Sequence, residues 1–240
     1  MVTWKTLAMN SMSIKDLLGL RRSPVAVTIV REVPTGLPRV SKQAPAGCAY
    51  WKLAAAGEVF YATADDHFGC PIGAHVLGLS LPAEPAQQLS TMLEMMQALD
   101  YLQPAAAEQI PRWQQPWAAV VYAPVEHATG TPDVVIHLGQ ARQMMLLVEA
   151  VQRAGVPLLP LAGRPACAMV PAVAQSGSAV SNLGCIGNRV YTELGDDEFY
   201  VAIPGGRLTE VAQALPQTCH ANRELETYHR GRAPLQLVKV

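Results

Sequence analysis

Short runs of apolar, β-favouring residues constrain this chain more than any other feature. Val25–Val30 reads as a buried strand, and Val59–Thr63, Trp117–Tyr122, Asp133–His137 and Phe199–Ile203 are similar runs, the last closed by Pro204-Gly205-Gly206. The intervening segments carry a helical period instead. Leu89, Met92, Leu93, Met96 and Leu99 recur at three- and four-residue steps after Pro85, and Met144, Met145, Val148 and Val151 do so ahead of Gly155 and Pro157. Both methionine stripes are expected to pack into the core. A further helix is expected to begin near Ser13, where Ser13 and Asp16 resemble a capping box, and another over Tyr50–Ala55, ended by Gly57. Strands interleaved with helices predict an α/β fold, a mixed sheet packed with helices. The chain is expected to form a single domain over 1–240, with an internal division near 102–116, a stretch holding three prolines, between two pseudo-symmetric halves.

A chain of 240 residues can bury a core without disulfide staples. Half of it is hydrophobic and only 15% charged, which leaves apolar surface for a second copy to cover, so a homo-oligomer is compatible with the composition. The formal charge is -1 and no basic run could track a phosphate backbone, so nucleic acid is not an expected partner. The first residues do not read as a signal peptide, and no stretch reaches the roughly 18 apolar residues of a membrane helix. The expected location is cytoplasmic, where thiols stay reduced and several cysteines point to metal binding or catalysis.

The cysteines carry the functional reading. Each half holds one flanked by small residues, in Gly47-Cys48-Ala49 and Ala166-Cys167-Ala168, and about twenty positions later one in a glycine turn, in Gly69-Cys70-Pro71-Ile72-Gly73 and Gly184-Cys185-Ile186-Gly187. Four thiolates are the ligand set of an iron–sulfur cluster, and glycine beside a ligand lets backbone N–H groups face sulfur. The chain has no C-x-x-C pair and none of the ferredoxin spacings, so spacing alone leaves ordinary buried thiols as the competing reading.

At these residues the sequence resembles the family named domain of unknown function 169 (DUF169). The resemblance rests on Gly47-Cys48-Ala49-Tyr50, on the stretch from Phe68 through Cys70 to Gly78, and on Leu183-Gly184-Cys185-Ile186-Gly187-Asn188-Arg189-Val190-Tyr191 with Asp197-Glu198 and Ile203-Pro204 behind it. It covers most of the chain to Pro204. It implies positions more than chemistry, and the cluster is inferred from the cysteines it marks.

The expected function is therefore an iron–sulfur protein, of the four-iron, four-sulfur type, with Cys48, Cys70, Cys167 and Cys185 as ligands and a redox or small-molecule ligand-binding role that would bring a redox partner. Two alternatives stay open. One is a binding protein or chaperone for a tetrapyrrole-type cofactor, with a cysteine or His75 on the metal. The other is a cysteine-dependent enzyme in which Cys70 or Cys185 is a nucleophile beside a helix N-terminus or Arg189. Four-cysteine zinc ranks lower, because its ligands usually pair two to four residues apart. Cys219 is left outside the site. Arg189 is expected to brace its loop against Asp196, Asp197 or Glu198, Asp65-Asp66-His67 reads as a solvated loop, and His137 as a core histidine. No G-x-G-x-x-G, P-loop, G-x-S-x-G or H-E-x-x-H motif is present.

Overall fold

A computed structural model describes residues 4–101, 103–162 and 164–232. In chain order the elements are α1 (Trp4–Leu18), β1 (Val25–Val30), α2 (Ala49–Ala55), β2 (Phe60–Ala62), α3 (Pro71–Val76), α4 (Ala83–Ala98), α5 (Pro104–Glu108), β3 (Ala119–Pro124) and β4 (Val134–Gln140). They continue with α6 (Ala141–Arg153), β5 (Leu158–Ala162), α7 (Met169–Ser176), β6 (Ala179–Asn182), α8 (Ile186–Thr192), β7 (Glu198–Pro204) and α9 (Leu208–Arg232). The fold is mixed α/β, as the alternation of apolar runs and helical stripes predicts.

The strands form one seven-stranded sheet in the order β2-β3-β1-β4-β7-β6-β5. All neighbours are antiparallel except β5 and β6. Strand β3 lies between β2 and β1, and β1 is held in register from Val25 opposite Pro124 to Val30 opposite Ala119. The apolar runs are continuous because both faces of the sheet are covered. Alternate residues go to opposite sides. Val25, Val27, Val134, Ile136, Tyr200 and Ala202 join the core under α2 and α7, while Ala26, Val135, Val201 and Ile203 join the core under α1, α6 and α9.

Several expectations are corrected. Helix α1 starts well before Ser13, which lies within it. Its length comes from packing: Ile14 and Leu18 are buried against the α6–α9 layer, and the Asn10 side-chain amide donates to Thr209 Oγ1 at 2.9 Å. Helix α4 keeps none of its residues fully buried, and Met95 and Leu99 are exposed, so its methionine stripe lines a half-covered face rather than the core. In α6, by contrast, Met144 and Val151 are fully buried and only Met145 turns outward. Strands β5 and β6 were not anticipated at all.

Candidate metal centre

All four cysteines stand where a helix begins. Cys48 is the N-cap of α2, and Cys167 sits in a short 3₁₀ turn, Ala166–Ala168, that runs into α7. Cys70 and Cys185 are the N-caps of α3 and α8, both in extended backbone, with Pro71 following the first as a residue suited to an opening helical turn. Cys70 Sγ accepts the Gly73 backbone N–H at 3.4 Å. The Cys185 loop is set by Asn182, whose Oδ1 accepts the Gly184 N–H at 2.7 Å.

Tertiary packing then crosses the halves. Helix α2 packs on α8, and α3 packs on the turn holding Cys167, so each early cysteine meets a late one. The thiols all feel one another. Cys48 is coupled to Cys70 and Cys185, Cys167 to the other three, and Cys70 to Cys185. Burial pushes the Cys48 thiol up to about 12, opposed by the Asn188 amide and reinforced by the neighbouring thiols. Burial and the charge of the other cysteines likewise raise Cys167, and burial raises Cys70 against the pull of the Gly73 N–H.

Among the described residues no group of three or more histidine, cysteine or acidic side chains is drawn together to hold a metal ion. Cys48, Cys70, Cys167 and Cys185 lie within electrostatic reach of one another.

The wall behind them is aromatic. Tyr50 lies edge-on to Phe60 and His67, with ring centroids 5.6 and 5.5 Å away, and the Tyr122 hydroxyl, raised chiefly by burial, also feels Cys48 and Cys167. His67 corrects the expected solvated loop. It is buried, one ring nitrogen 2.7 Å from the Thr63 carbonyl and the other 3.2 Å from the Tyr122 hydroxyl. Asp66 is spoken for as well, capping its own turn at Thr63 and taking a two-pronged contact from Arg39 at 2.9 and 3.0 Å. Nothing in the Asp-Asp-His string shows that its histidine turns inward; the signal is the ring of aromatic residues, scattered in sequence.

Other residues fall away from the centre. Arg189 spans its loop, donating to the Leu183 carbonyl at 2.7 Å and the Gly195 carbonyl at 3.0 Å, with Asp196 3.8 Å off, which is the bracing role. His75 is exposed, and burial and Arg112 depress its pKa. Cys219 belongs to the core on the other side of the sheet. His137 is fully buried in β4, and among the described residues neither ring nitrogen has a hydrogen bond of ordinary length, although the backbone at Val201 and Val135 lies near enough to act on the ring. Around Cys185 the surface is apolar: Ile186 and Val190 on α8 are 66% and 65% exposed.

The family profile described as uncharacterised ArCR, DUF169, matches residues 13–214, a span containing all four of these cysteines and every strand. The chain belongs to the DUF169 family. A relative in Methanocaldococcus jannaschii, described as an uncharacterized protein, is 26% identical over 218 residues, covering 86% of this chain and 92% of its own length. No solved structure matches this DUF169 chain significantly. Among its described residues no helix is long and apolar enough to cross a membrane.

Proposed function

We propose that this DUF169 protein binds an iron–sulfur cluster, of the four-iron, four-sulfur type, through Cys48, Cys70, Cys167 and Cys185, and serves a redox or ligand-binding role. The observation that carries the reading is the mutual coupling of four thiols delivered by four separate helix starts. Free thiols gain nothing from such crowding, because neighbouring cysteines raise the pKa of Cys48, Cys70 and Cys167. A cationic iron core reverses the balance, since binding takes place through deprotonated sulfur and the metal charge offsets the repulsion. Four thiolates suit a cluster, whose ligands attach to different irons.

The chemistry a cluster supplies is one-electron transfer or the binding of a ligand at iron. The protein's part is to hold the thiolates, exclude bulk water with the Tyr50, Phe60 and Tyr122 wall, and aim the Gly73 N–H at Cys70. Cys70 is a weak candidate for a nucleophile, because a reactive cysteine needs a lowered pKa and burial raises this one. The test is iron and acid-labile sulfide content, with the visible spectrum, after anaerobic purification of the wild type and of the Cys70→Ala and Cys185→Ala variants. Iron and sulfide in the wild type, lost from both variants, supports the cluster. Folded wild-type protein that stays free of both after anaerobic reconstitution overturns it.

A further inference from the structure

Asn188 is buried beside the Cys48 thiol and the Tyr200 hydroxyl. It lies on α8, three residues after Cys185, with 1% of its surface exposed. Neither its Nδ2 nor its Oδ1 has a hydrogen-bond partner of ordinary length among the described residues. Buried carboxamides are almost always paired, and an orphaned one disfavours the folded state.

The amide is not loosely placed. The backbone at Gly184 approaches so closely that a Cβ there would stand 2.8 Å from Asn188 Oδ1 and 2.7 Å from Leu194 Cδ2, at a φ of +77° that also favours glycine. One turn on, Thr192 Oγ1 donates to the Asn188 carbonyl at 2.7 Å and holds the helix down. Across from it, α2 packs on α8 and presents its N-cap, Cys48. The amide faces the Cys48 sulfur and the Tyr200 hydroxyl, lowering the pKa of each against the effect of burial, yet makes no hydrogen bond of ordinary length to either. A neutral thiol is a poor acceptor; a thiolate on iron is a good one, and N–H groups shorten their contact when the acceptor is charged.

We infer that Asn188 is a positioning residue of the cluster, its Nδ2–H donating to the Cys48 sulfur once that sulfur is a ligand and favouring the cluster state with more negative charge. The inference rests on the iron–sulfur reading and adds a residue that the four-cysteine pattern does not contain.

The signature is an opposite effect on the empty and the loaded protein. Asn188→Leu keeps the side chain's shape and removes its polarity. The cluster-free variant is expected to melt at or above the wild-type temperature, having lost an unpaired buried amide. The loaded variant is expected to release iron to a chelator about 10–100-fold faster, as when an outer-shell partner of a metal ligand is lost, and to have a more negative midpoint potential. Asn188→Ala, which leaves a small cavity and melts lower, is expected to give the same change in potential. Wild type that holds a cluster, with both variants matching it in iron release and potential, overturns the role of Asn188 alone. Wild type that takes up no cluster overturns the iron–sulfur reading and this inference with it.

Discussion

The two faces of the sheet are built in different ways. On one face α1, α6 and α9 run for 15, 13 and 25 residues and cover a core of Leu, Ile, Val and Met side chains. On the other, α2, α3, α7 and α8 run for 7, 6, 8 and 7 residues, and each begins at or just after a cysteine. Helices of two turns are not stable alone and depend on their packing. The first face gets its rigidity from length and burial. The second gets it from fixed helix starts, from small residues such as Ala46, Ala49 and Ala54, and from a nest of aromatic rings. The contrast separates a stabilising face from one organised around four sulfurs.

The sharpest way to break that contrast is to damage the stabilising face and look for an effect on the other. Leu147, on α6, is fully buried, so Leu147→Ala is expected to cost about 2–5 kcal/mol in urea unfolding. Iron bound per folded molecule is expected to stay at the wild-type level; a loss of iron in molecules that remain folded would dissolve the division.

Next in size is acid lability, because each face hides one histidine. Burial holds His67 and His137 at about 4, below the ordinary 6.5, with backbone groups offsetting a little of the fall. The unfolded chain therefore takes up protons first as pH drops. Their contribution is intact above pH 6.5 and is lost as pH falls towards 4, at about 3 kcal/mol for each ring. His137 shares its face with Val135 and lies opposite Val201 in the register, under the long helices. With no hydrogen bond of ordinary length there among the described residues, it is expected to tolerate His137→Leu at pH 7 with no loss and to give a shallower acid slope. His67→Leu is expected to flatten the slope too, but to cost about 1–3 kcal/mol at pH 7 by orphaning the Thr63 carbonyl and the Tyr122 hydroxyl. Equal effects of the two substitutions at pH 7, by chemical denaturation, would refute the assignment.

A modest change in stability is expected to give the cleanest loss of the site. A Cβ on Gly69 would meet the Ala44 carbonyl oxygen at 2.6 Å, displacing the turn that carries Cys70. Gly69→Ala is expected to cost about 1–3 kcal/mol and to abolish cluster uptake. A folded variant with full iron content would show that the turn is not critical.

The strands were legible because a sheet covered on both faces needs unbroken apolar runs, and Val25–Val30 was found to the residue. Strands β5 and β6 were hidden for physical reasons. The first carries Pro160, which demotes a run to an edge, where it does lie; the second ends in Ser181 and Asn182 and is four residues long. Helix α4 shows the limit of periodicity. A stripe tells which side of a helix is apolar, while how much of that side is covered depends on what packs there. The cysteine positions were readable from glycine turns and the family likeness, yet their meeting depends on α2 reaching α8 and α3 reaching the Cys167 turn, contacts between distant segments that no local pattern encodes. The burial of Asn188 and His67 was not legible because each is an ordinary polar residue until the fold closes over it.

The strand order sets a timetable. Because β3 must slide between β2 and β1, the sheet beside Cys48 and Cys70 cannot finish until residues at the midpoint of the chain are available, and the partners of those cysteines come later still. Closing such long loops is slow relative to local helix formation. During synthesis the first two thiols emerge as an unfinished pair, and only a nearly complete chain presents all four together. Capture of a metal group at this place would therefore mark the end of folding, and a truncated or stalled chain would be left without it.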